Sequence, residues 1–135
     1  MIPAFLLAVA ALAGGVVPAS REVAVTFDDL PGISVPGGGI AEQRAMTEKL
    51  VSAITKAKAP VTAFVNEGKL GPPGAPDPER VALLERWASA GIELGNHTRS
   101  HPDLHRISLE DFEADVAAGE ETTRALMTAK GKKLR

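Results

Sequence analysis

The chain of 135 residues contains no cysteine. A disulfide framework and thiolate metal ligation are both excluded, so any metal site must rest on oxygen and nitrogen donors. An excess of one charge is also missing: 15 Lys and Arg face 17 Asp and Glu, for a net charge of -2. With no long basic run either, nothing points to a nucleic-acid partner. Aromatic residues make up only 4%, and the single tryptophan, Trp87, falls on the side of an expected helix, where it reads as packing. There is no internal repeat beyond a βα unit. The length allows one domain at most.

What is present begins with an apolar stretch. Phe5 to Gly15 is almost wholly apolar, and Val17-Pro18-Ala19 supplies small residues where a signal peptidase cuts. This is a secretory signal pattern over residues 1–19, with cleavage expected after Ala19. The leading residues carry no Lys or Arg. The run is shorter than the ~20 apolar residues of a spanning helix unless Val16 to Ala19 is counted in, so an uncleaved membrane anchor is the alternative; after cleavage no stable membrane span is expected. The expected location is secreted or periplasmic, and residues 20–135 form the remaining unit.

From Arg21 the pattern alternates in type. Arg21 to Phe27 is valine-rich and alternating, which predicts a buried strand. Leu30 to Gly39, with Pro31, Gly32, Pro36 and three successive glycines, is a loop. Ile40 to Lys58 reads as an amphipathic helix with Met46, Leu50, Ile54 and Ala57 on one face. Val61 to Val65 is a second strand, ending at Asn66 and Glu67, both read as loop polar residues. Asp77 is an expected N-cap with Pro78 at the first helical position. That helix runs to about Ala90, burying Val81, Leu84 and Trp87, and Gly91 closes it. Ile92 to Gly95 is a third strand. Ser108 and Asp111 suit a capping box for one last helix running to about Ala129, with Leu109, Phe112, Val116 and Leu126 inward. The order β-α-β-α-β-α implies an α/β fold with a parallel sheet and right-handed crossovers.

Two motifs carry chemistry. Thr26-Phe27-Asp28-Asp29-Leu30-Pro31 ends the first strand, and His97-Thr98-Arg99-Ser100-His101-Pro102 follows the third. In parallel α/β folds, sites form at the carboxyl ends of strands, so both motifs, and Asn66 and Glu67 after the second strand, land on one rim. One carboxylate plus two imidazoles is the ligand set of a catalytic divalent-metal site with open positions. A second carboxylate beside it suits a general base on water. Adjacent acids on a regular strand point to opposite faces, but at a strand end the backbone can bend, so one acid can bind metal while its neighbour faces the water. Pro102 disfavours helix at His101, so a turn is expected there, held by Thr98 and Ser100. His105 continues the four-residue spacing but reads as a surface histidine, and Arg99 as solvent-facing.

The two motifs, the second extended through Asp103-Leu104, resemble the first two motifs of the polysaccharide deacetylases (carbohydrate esterase family four, the NodB-like domain). The resemblance runs from about Glu22 to near residue 135. It implies an irregular parallel (β/α) barrel of which the first three βα units are present. It implies that Asp28 is the catalytic base and that Asp29, His97 and His101 bind a divalent metal, zinc or else cobalt, nickel or manganese. The implied partner is an acetylated polysaccharide or oligosaccharide, from which N- or O-acetyl groups are hydrolysed. Leu30 stands where the family more often has glycine. The family's later arginine and general-acid histidine motifs do not occur in these residues, so an N-terminal part of a longer domain is expected. A metal-dependent amidase on a small non-sugar amide, and an inactive fragment that at most binds metal, are the alternatives.

Overall fold

The computed structural model describes residues 23–32 and 39–134. The expected signal sequence, the start of the first strand at Arg21 and the centre of the glycine-rich loop lie outside the described residues. Strand β1 is Val25–Leu30, followed by helix α1 (Ile40–Ala57), strand β2 (Val61–Val65), a 3-10 turn (Glu67–Leu70), helix α2 (Pro78–Ser89), strand β3 (Glu93–Asn96), and helices α3 (Leu109–Ala118) and α4 (Glu121–Ala129).

The three strands are parallel in the order β1-β2-β3. Thr26, Thr62 and Glu93 form one cross-strand row, and Phe27, Ala63 and Leu94 the next. Between Phe27↔Ala63 and Leu30↔Val65 the register shifts. Asp28 and Asp29 there oppose the single residue Phe64, a bulge that bends the strand. The expected burial of β1 is only partly met: Val23 is 82% exposed and Val25 41%, whereas Leu30 is buried. As an edge strand, β1 is covered only toward its carboxyl end.

The helices form where local signals place them, and packing rotates their faces. In α2 the Asp77 carboxylate accepts from Glu79 N at 2.9 Å with Pro78 in the first turn, and Gly91 beyond it takes φ 87°, where glycine carries no Cβ penalty. Leu83, Leu84, Trp87 and Ala88 are the buried residues, with Val81 half-buried. Trp87 packs as expected, its ring centroid 5.6 Å from that of Phe27. Helix α1 turns differently: Thr47, Val51 and Ile54 are buried, Met46 and Leu50 lie at the margin, and Ala57 is exposed. Contact with α2 and the sheet selects this stripe over its near-equivalent neighbour.

The single last helix expected through Ala129 is two helices. Ser108 caps α3, accepting from Asp111 N at 3.0 Å, but α3 buries no residue and Leu109 is 65% exposed. Phe112 and Val116 are half-buried. The chain breaks at Gly119, and α4 sets off so that Thr123 and Met127 are fully buried. Burying a methionine contributes roughly 1.5–3 kcal/mol. The new helix start is held by a buried carboxylate: Glu67 accepts from Thr123 N at 2.7 Å and from Thr122 N at 3.2 Å. An acid at a helix N-terminus satisfies orphan amides and opposes the helix dipole. Glu67 is therefore a buried tie between the end of β2 and α4, not a loop polar residue. No described helix is long and apolar enough to cross a membrane.

Replacing Glu67 by alanine leaves two amides without their acceptor. We expect Glu67→Ala to lower unfolding stability by about 1.5–3 kcal/mol, measured by urea denaturation. A loss within ~0.5 kcal/mol, the usual range of a neutral surface change, would contradict the tie.

Candidate functional site

The carboxyl ends of the three strands form one rim, and the two motifs meet on it. In β1 the bulge places Asp29 at φ 67°, a left-handed conformation that aspartate tolerates better than most residues. Its neighbour Asp28 is exposed at the adjoining bulge position. After β3, His97 N donates to Val65 O at 2.9 Å, extending the ladder by one step. The chain then turns sharply, with Thr98 at φ 64° and His101 at φ 57°. The turn is non-helical, in keeping with Pro102, but His101 is left-handed rather than extended.

Side chains from four directions hold that turn. Asn96 Oδ1 accepts from Thr98 N at 2.7 Å while Asn96 Nδ2 donates to Val116 O at 2.7 Å. Thr98 Oγ1 accepts from His101 N at 3.1 Å. Asn66, buried at the end of β2, donates through Nδ2 to His97 O at 3.4 Å and Thr98 O at 3.3 Å. Asp115 of α3 accepts from Arg99 N at 2.8 Å, Ser100 N at 3.0 Å and Ser100 Oγ at 2.6 Å.

Two glycines let other backbones reach the turn. Gly68 N donates to Arg99 O at 2.8 Å, and a Cβ on Gly68 would collide with that oxygen. On the other side, a Cβ on Gly119 would lie 2.5 Å from Thr98 C and 2.7 Å from Arg99 N. Arg99 is not solvent-facing as expected. It is half-buried, and its guanidinium donates to Gly71 O at 3.1 Å, pinning the proline-rich loop before α2.

Asp29, His97 and His101 come together. Each offers one ligand atom, and these atoms lie within 4.8 Å of one another. The imidazole rings stand edge to face, with centroids 4.8 Å apart and planes at 76°. Phe64 borders the pair, its ring centroid 6.4 Å from that of His97. One carboxylate oxygen and two imidazole nitrogens suit zinc and neighbouring divalent ions. Tetrahedral bonds of about 2.0–2.1 Å would draw these atoms somewhat closer than they stand here. The set thus fits such an ion with a small inward movement and leaves further positions open. Asp28 is outside this group of three, as is His105, which is exposed as expected.

The charged environment adds a residue that sequence reading missed. Lys69 Nζ lies 2.8 Å from Asp29 Oδ1. The hydrogen bond from Lys69 holds the Asp29 carboxyl below the usual carboxylate range. Partial burial opposes this, and the charges of Lys69, His101 and His97 reinforce it. Asp115 is also lowered: burial pushes it up, and the donors from Ser100, Arg99 and Thr98 more than offset that. No local signal marks Lys69 or Asp115, because their partners lie 40 and 15 to 16 residues away. Asn66 lies on the same rim at the end of the second strand, as expected, but it is buried and holds the histidine turn rather than standing as a loop polar residue.

A parallel βα sheet with an aspartate–histidine group on its carboxyl rim defines a class, the parallel α/β domains with a site at their strand ends. Within that class the chain belongs to the polysaccharide deacetylase family, whose model matches residues 16–135. It is 30% identical over 111 residues to a chitooligosaccharide deacetylase of Bradyrhizobium sp. (strain ANU 289), covering 82% of this chain and 42% of that one. It is 28% identical over 105 residues to a peptidoglycan-N-acetylglucosamine deacetylase of Bacillus cereus, covering 78% and 32%. Among solved structures, the chitin deacetylase of the fungal pathogen Colletotrichum lindemuthianum superposes with a TM-score of 0.55 at 26% identity, covering 76% of this chain and 39% of that one. The chain thus spans less than half the length of these relatives. Its three βα units correspond to part of their barrel.

Two substitutions test how the turn is held. Asp115→Ala should cost about 1–3 kcal/mol. Because the folded pKa of Asp115 is depressed, its contribution is present above about pH 4 and is lost as pH falls through the lower folded value. Protection of the Arg99 and Ser100 amides, taken relative to the intrinsic exchange rate at each pH, should therefore fall at that acid limit in the native protein and already at neutral pH in Asp115→Ala. Equal exchange in both proteins at pH 7 would contradict the clamp. Gly119→Ala should destabilise by about 1–3 kcal/mol and shift the imidazole NMR signals of His97 and His101. Unmoved signals would show that the close approach is not required.

Proposed function

We propose that this chain contributes the metal-holding and base-bearing part of a secreted deacetylase that hydrolyses acetyl groups from a glycan polymer or oligomer. The observation that carries this reading is the convergence of Asp29, His97 and His101, from two distant motifs, to within 4.8 Å. Membership of the polysaccharide deacetylase family supports the acetylated glycan as substrate class. The apolar start and small-residue site at Val17-Pro18-Ala19 support export, which suits a substrate outside the cytoplasm.

In this reading Asp29, His97 and His101 hold the ion, and zinc is favoured by the donor set. A bound divalent ion would supply Lewis acidity toward an acetyl carbonyl oxygen and lower the pKa of a water. The residues of the chain do the rest. Asp28, one position before the ligand Asp29 and exposed to the rim, takes the proton from the attacking water. Asp29 stays ionised beside Lys69, and so remains a ligand under mildly acidic conditions. The edge-to-face imidazoles present nitrogens from different directions, which suits a three-sided cation seat and leaves the solvent side for substrate.

Acetate release from an acetylated chito-oligosaccharide by a full-length form that contains this chain, followed with and without chelator, tests the activity. Chelator-sensitive release is expected, and release that survives complete metal removal would count against it. Asp29→Ala should abolish uptake of zinc or cobalt. Asp28→Asn should keep uptake but reduce turnover by about 10²–10⁴-fold. Equal loss of metal in both variants would remove the distinction between ligand and base.

A further inference from the structure

Lys69 sits in the 3-10 turn after β2 and has no part in the ligand set. Its ammonium nonetheless grips one residue twice, with Nζ 2.8 Å from Asp29 Oδ1 and 3.2 Å from the Asp29 carbonyl oxygen. The grip spans 40 positions of sequence and closes on a residue held at φ 67°. It fixes the carboxylate relative to its own backbone. With Oδ1 on the ammonium, Oδ2 keeps both its lone pairs for a cation.

The turn itself does not need this side chain. Lys69 N already donates to Asn66 O at 3.1 Å, and Lys69 O accepts from the Arg80 guanidinium. Leu70 O accepts from Asp77 N at 2.7 Å, and Leu70 is buried in the core. The Lys69 side chain is about a quarter exposed and is absent from the core cluster, and methionine or glutamine in its place keeps most of its length.

We propose that Lys69 is a positioning residue for the cation seat, orienting Asp29 so that one carboxylate oxygen faces His97 and His101. The proposal rests on the reading of Asp29, His97 and His101 as metal ligands. Partners that hold a ligand in place commonly change metal affinity 10–100-fold when removed. A second effect runs the other way, because a lysine charge repels a dication. That repulsion is screened by salt, with a Debye length of about 3 Å at 1 M, whereas a fixed carboxylate orientation is not. High salt therefore isolates the positioning role.

The test is titration of cobalt into the purified protein in 1 M salt, read by calorimetry and by the visible spectrum of the bound ion. Lys69→Met and Lys69→Gln should each weaken binding about 10-fold or more and alter the visible bands. Lys69→Arg, which restores charge and donors, should bind within about 3-fold of wild type. Thermal melts identify folded variants, and either neutral variant suffices. Unchanged or tighter binding by a folded neutral variant, with an unchanged spectrum, overturns the positioning role alone. No uptake by wild type, or uptake that persists in Asp29→Ala, overturns the metal site and the Lys69 role with it.

Discussion

The turn bearing His97 and His101 is gripped between two backbones that can reach it only because neither carries a side chain at the point of contact. Gly68 approaches from the end of β2 and Gly119 from the end of α3. The rest of the site depends on this closeness. It puts Asn66 and Asp115 within hydrogen-bonding distance of the turn's polar groups, and it stations the 3-10 turn, with Lys69, over Asp29. A half-buried turn must satisfy the amides and carbonyls it withdraws from water. Here the side chains of Asn66, Asn96, Thr98 and Asp115 and the backbones of Val65 and Gly68 share that task, which holds the histidine pair without a helix beneath it.

The same contact explains the shape of the C-terminal region. A continuous helix beyond Gly119 would keep the heading of α3, whose faces are largely exposed. By breaking at the contact glycine, the chain redirects α4 so that Met127 enters the core and the new N-terminal amides meet Glu67. The end of β2 thus serves two structures at once, the histidine turn through Asn66 and the last helix through Glu67. Rim and core are mechanically joined there.

The electrostatics of the rim follow from geometry more than from residue count. Two acids stand side by side at the bulge, yet they do different things. Asp29 turns into the histidine group and is neutralised by Lys69, while Asp28 stays exposed. The bulge makes this division possible, since two residues there span one position of the neighbouring strand. A regular strand would have sent the two carboxylates to opposite faces of the sheet.

Much of this was legible in the chain alone, and the reason is locality. Alternating valines, the Asp77-Pro78 start, Gly91 and the Ser108 cap act over a few residues, so strand and helix order could be read from them. Strand-end placement then brought Asp28, Asp29, His97 and His101 to one rim by topology. What could not be read was whatever depends on partners far away. The choice between near-equivalent faces of α1, the break at Gly119, the burial of Glu67 and the roles of Lys69, Asn66 and Asp115 all rest on contacts across 15 to 56 residues. Sequence by itself determined the βα order and the donors available, because those are properties of short segments. Tertiary structure alone decided which backbones touch, and with them which polar side chains became scaffolding, because close packing and hydrogen-bond satisfaction are settled only when distant segments meet.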